Sequence, residues 1–105
     1  MTEEFLTLAE VKELLLKEQS LRILTMEQNY ALEHAKRYAK LSAKDSRKLV
    51  KELMKNDQVS EAIACKIADL LPRFPEEVES IFLKERLTLE DATLKEILET
   101  VKGYL

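Results

Sequence analysis

The sequence predicts an all-α protein: a short extended start and two helices, followed by a compact bundle of four short helices. Three observations lead there. Apolar residues recur at three- and four-residue spacing, the period of one helical face, while no segment alternates as a half-buried strand would. Side chains that cap helices precede most of these runs. Glycine, the usual residue of left-handed turns, occurs once, at Gly103.

Each element has its own warrant. Thr7 precedes "LAEVKELLLKEQS" with Glu10 in the reciprocal place of a capping box, so the first helix is expected from Leu8 to Ser20. Leu8, Val11, Leu14 and Leu15 share one face of it. Thr25 and Gln28 repeat the signature before "MEQNYALEHAKRYAKL", where Ala31, Ala35, Tyr38 and Ala39 form a stripe suited to close packing. Ser42 caps "AKDSRKLVKELMKN", with Leu49, Val50, Leu53 and Met54 directed inward. In the "NDQ" that follows, Asn56 is expected to take the left-handed conformation that ends a helix when glycine is absent. Ser60 caps "EAIACKIADLL".

The only prolines, Pro72 and Pro75, then interrupt the helical pattern. A proline disfavours helix in the residue before it, so the fourth helix should end near Leu71. Pro75 suits the first position of a new helix, and Glu76 and Glu77 favour its positive end. "LLPRFPEE" is therefore a sharp corner between two helices too short to be stable alone. The next helix, "EEVESIFLKER", turns Val78, Ile81 and Phe82 inward. Thr88 with Asp91 caps the last, "LEDATLKEILETVK", and Gly103 stops it.

Composition narrows the function. A chain of 105 residues, 46% of them apolar, supports one modest core. No run approaches the roughly 18 apolar residues of a membrane span, and "MTEEFLTLAEV" lacks the plan of a signal peptide. A lone cysteine, Cys65, forms no internal disulfide and suits a reducing, intracellular setting, where it packs as a small apolar residue. One glycine leaves no P-loop or dinucleotide fingerprint, and one histidine, His34, leaves no His-based metal site or Ser-His-Asp triad. Glu76, Glu77 and Glu79 read as a helix start rather than an acid–base pair. Tyr30 and Tyr38, within about 80° of each other around a helix, suit packing more than base stacking. An enzyme is not expected, and neither is a cofactor.

Two features point to partners. Residues 1–41 carry more apolar side chains than they can shelter, with Leu21, Ile23 and Leu24 stranded between the first two helices. Residues 42–105 hold a core of their own. Charge is also uneven: the segment from Lys36 to Lys55 carries a net +6 and the rest of the chain −9. Lys36, Arg37, Lys40, Lys44, Arg47 and Lys48 are the candidate RNA contacts in that stripe, because cationic side chains on phosphates supply most non-specific nucleic-acid affinity. A solvated helix face is the plainer reading, and the acidic remainder favours it. The alternative function is a free-standing nucleic-acid-binding module with the stripe as its footprint.

Three stretches carry a family resemblance: "EFLTLAEVKELL", "EQNYALEHAKRYAKLSAKDSRKLVKELM" and, above all, "KIADLLPRFPEEVESIF". Over nearly its whole length the chain resembles the F polypeptide of archaeal RNA polymerase, the counterpart of the fourth-largest subunit of eukaryotic RNA polymerase II. The resemblance implies a non-catalytic, cytoplasmic subunit whose N-terminal part clasps the polymerase's E polypeptide, an OB-barrel protein. It implies a C-terminal bundle like the helicase-and-RNase-D C-terminal (HRDC) module. The pair would form the stalk beside the RNA exit path of the polymerase core and assist promoter opening, processivity and termination, with weak contact to transcript RNA. On that basis Phe5 and Leu6 are expected to add a short strand to the partner. Leu8, Val11, Leu14, Leu15, Tyr30, Ala31, His34 and Tyr38 are expected at the interface with the OB-barrel protein.

Overall fold

Capping side chains start most of the helices where their spacing predicts. The computed structural model describes residues 5–105, so of the extended start only Phe5 to Thr7 can be followed; residues 1–4 lie outside the described residues. The helices are α1 (Leu8–Gln19), α2 (Met26–Tyr38), α3 (Ala43–Leu53), α4 (Glu61–Leu70), α5 (Pro75–Lys84) and α6 (Asp91–Lys102). No strand occurs among the described residues. Thr7 and Thr25 both complete capping boxes, with Glu10 and Gln28. The hydroxyls of Ser42 and Ser60 accept from the N–H groups of Asp45 and Ile63. Pro75 opens α5, where its missing donor is no loss. The Glu77 carboxylate accepts from the backbone N–H of Arg73 and of Phe74, which closes the proline corner.

Four local expectations need correction. Asn56 is not left-handed: its Oδ1 accepts from the Gln58 N–H at 2.9 Å, and its amide donates to Glu96 at 3.1 Å, tying the α3–α4 turn to α6. The left-handed residues are Leu71 (φ 49°) and Arg86 (φ 56°). At Arg86 the chain completes a Schellman motif without glycine, with Leu87 N–H donating to Phe82 O and Arg86 N–H to Leu83 O. Thr88 caps nothing; α6 starts at Asp91 with Glu90 before it, so Asp91 stands at the first helical position and not the third. Met54 is exposed, because α3 ends at Leu53 and Met54 follows as its cap. On α2 the buried residues are Leu32 and Ala35, whereas Ala31 and Tyr38 face outward.

Helices α3 to α6 enclose one core. Leu49, Val50, Ile63, Ile67, Val78, Phe82, Ile97 and Val101 lie at its centre, with Val59 and Leu71 closing its ends. Pro72 is also fully buried, so the corner is part of the packing. Leu15, Leu24 and Leu32 form a smaller cluster between α1 and α2, with Val11 beside them. Leu24 thus has the shelter that its loop position seemed to deny it. Among the helices, α2 packs mainly against α1, and α1 packs in turn against α3 as well.

Candidate partner-binding surface

The start of α1 is fixed to the bundle by polar contacts. Thr7 is fully buried, and its hydroxyl meets that of Ser46 on α3 at 2.7 Å. The Leu8 N–H, one of the donors a helix start leaves unpaired, donates to Asp69 of α4 at 2.7 Å. Arg47 on α3 holds Glu10 through two bonds, of 2.6 and 2.8 Å, and donates a third to the Phe5 carbonyl. Glu61 sits 3.9 Å from the same guanidinium and accepts from the Phe5 N–H. Burial works against the charge of Glu10, but the bonds from Arg47 and Thr7 outweigh it and hold this carboxyl below its ordinary range. Burial pushes Asp69 the other way, only partly offset by the Leu8 N–H.

This anchoring turns a large apolar surface outward. Nine of the fifteen exposed large hydrophobic side chains among the described residues lie within residues 5–41, although that stretch is much the shorter part of the chain. Leu14 and Tyr30 are exposed, as is Ala31, while Phe5 and Leu6 stand partly clear of the surface. Leu15 is buried inside the hairpin, and Leu8 and Val11 are half-buried. His34 lies against Tyr38, ring centroids 4.8 Å apart. Both line a groove of about 500 Å³ whose walls include Leu70, Ile81 and Asp69. The interface residues expected from the sequence did not include the hairpin's most exposed apolar positions, Leu21, Ile23 and Met26, although Leu21 and Ile23 had read as unsheltered; Ile23 is 92% exposed. The signal for Leu21 and Ile23 was present in "LRILT", which carries aliphatic residues where a helix–helix turn ordinarily carries polar ones.

The structure separates the basic stripe into two sets. Arg47 is committed to Glu10, Lys36 pairs with Glu33 at 3.7 Å, and Lys40 donates to the Leu70 carbonyl at 2.8 Å. Arg37, Lys44 and Lys48 make no ion pair among the described residues. No group of three or more metal-ligating side chains occurs among the described residues, and none of their helices is long and apolar enough to cross a membrane. The arrangement is an anchored hairpin with an apolar outer face.

The sequence profile of the RNA polymerase Rpb4 family matches residues 5–105. The chain belongs to that family. It is 35% identical over 103 residues to DNA-directed RNA polymerase subunit Rpo4 of Methanocaldococcus jannaschii, in an alignment covering 98% of this chain and 86% of that protein. Membership makes the chain an RNA polymerase subunit, as its resemblance implied. Membership also implies association with the polymerase core.

Proposed function

We propose that this Rpb4-family chain is the non-catalytic subunit that pairs with the OB-barrel polypeptide to form the polymerase stalk. In this role it acts in the cytoplasm beside the RNA exit path and assists promoter opening, processivity and termination. The observation that carries the reading is the crowding of exposed apolar side chains onto the α1–α2 hairpin. Residues 1–41 form the clasp, with Leu14, Leu21, Ile23, Met26 and Tyr30 as its centre. Residues 42–105 form an HRDC-like bundle that holds the clasp in place. Transcript contact, where it occurs, falls to Arg37, Lys44 and Lys48. Commitment of Arg47, Lys36 and Lys40 within the chain counts against a free-standing nucleic-acid module.

The test is pull-down and titration of the OB-barrel polypeptide with the full chain and its Ile23→Asp variant. Ile23 is almost wholly exposed, so the variant should keep its fold. Removing one aliphatic anchor from a buried interface should weaken the pair roughly tenfold or more. Unchanged affinity in Ile23→Asp, and again in Leu14→Asp, would place the partner elsewhere. Tight, steeply salt-dependent RNA binding by the chain alone would favour the nucleic-acid module instead.

A further inference from the structure

The bundle carries apolar surface that the hairpin clasp does not use. Glu76, Glu79, Ser80 and Leu83 follow one another at helical spacing along the outer face of α5. Leu83 is 77% exposed, more than any other large hydrophobic of residues 42–105, and Leu87 beside it is half-exposed. A single exposed leucine on a helix is ordinary. Here the two leucines continue inward to Phe82 and Leu89, and together they line a groove of about 440 Å³. No residue of α1 or α2 lines it.

The ionisable side chains that line the groove have one sign. Glu76 and Glu79 are the only ionisable groups lining it, and neither forms an ion pair among the described residues. Two cations adjoin the leucines in the chain: Lys84 lines the groove on the other side, with Tyr38 and Asp69, and Arg86 is not among the residues that line this one. Glu85 is occupied by Lys66. An apolar floor flanked by two unpaired carboxylates selects a cationic occupant with an apolar anchor and repels nucleic acid or an acidic segment. We propose that the outer face of α5 is a second docking surface, which takes a basic protein segment carrying an aliphatic anchor between Leu83 and Leu87.

The probe is a four-turn amphipathic peptide with leucine along one face and lysine elsewhere, compared with its counterpart that has glutamate for lysine. Each is titrated into the isotope-labelled full chain while backbone amide resonances are followed. The lysine peptide should shift Ser80, Leu83, Leu87 and Leu89 selectively. Leu83→Ser, a change at an exposed site, should weaken it roughly tenfold. Replacing both Glu76 and Glu79 with Gln should weaken it as well and flatten its salt dependence. Equal binding of the glutamate peptide, shifts spread over the acidic surface, or an unaltered Leu83→Ser titration would each overturn the proposal. So would concentration-dependent shifts at these residues without peptide, which would assign the face to a second copy of the chain. Leu83→Ser should still pair with the OB-barrel polypeptide, so this proposal and the stalk reading fail separately.

Discussion

Replacing Arg47 should loosen the joint between hairpin and bundle, and the structure sets the size of the effect. The guanidinium donates two bonds to Glu10 and one to the Phe5 carbonyl, at 2.6 to 2.8 Å, and the two side chains are only 26% and 18% exposed. Fully exposed ion pairs contribute about 0.2–1 kcal/mol, whereas hydrogen bonds to charged groups contribute about 1.5–3 kcal/mol. A pair this sheltered falls between, with a coupling of about 1–2 kcal/mol. Arg47→Met also strands Glu10 and releases Phe5, for a total loss of about 2 kcal/mol. That is roughly 8 °C in Tm for a domain of this size. The assay is a double-mutant cycle of Arg47→Met and Glu10→Gln by urea unfolding, repeated across pH. Because the Glu10 carboxyl is held below its ordinary range, its contribution is complete above the unfolded value, about 4.3 for a glutamate. It is lost as pH falls through the lower, folded value. Glu10→Gln should therefore flatten the acid arm of the stability curve. A coupling under about 0.3 kcal/mol, within the error of independent sites, or an unchanged acid arm, would refute the reasoning.

Two further outcomes follow from single residues. Arg86 sits at φ 56°, a conformation that costs a side-chain-bearing residue about 1–2 kcal/mol. Glycine removes that cost but gains about 0.4–1 kcal/mol of unfolded-chain freedom. Arg86→Gly should thus raise stability by about 0.5–1 kcal/mol, and a lowered Tm would count against it. Cys65 is buried and its thiol is pushed up to about 11 by that burial. A thiol reagent at neutral pH should therefore label it only as the chain opens, tracking the urea transition; rapid labelling of the folded protein would contradict this.

What could be read from the sequence was what neighbours along the chain decide. Thr7, Thr25, Ser42 and Ser60 bond N–H groups three residues away, so the starts of α1 to α4 were visible in a few letters. Pro75 declared its position for a similar reason. Contacts that span the fold left no comparable trace. The carboxylate that receives the Leu8 N–H belongs to Asp69, 61 residues later. Arg47 read as one cation of a stripe until α1 brought Glu10 to it. The same limit explains "LRILT": its apolar character was plain, but only the hairpin's packing decides that Leu24 turns in and Ile23 turns out. Left-handed turns were misplaced because the sequence cue was residue type, whereas Leu71 and Arg86 are held there by the packing after α4 and the bonds after α5.

The packing order has a mechanical consequence. Helix α2 reaches the bundle chiefly through α1, and α1 through its polar anchors and α3, so the three are linked in series. Opening at the joint frees α1 and α2 together, whereas fraying of α2 leaves α1 seated. Amide exchange should accordingly slow from α2 to α1 to α3. A protein bound at Leu21 and Ile23 reverses that gradient at its outer end. By adding free energy to the outermost link, it opposes the fraying of α2. Load applied at the hairpin tip would reach α3 chiefly along α1, so the outermost helix is the one whose order a ligand at the tip would change most.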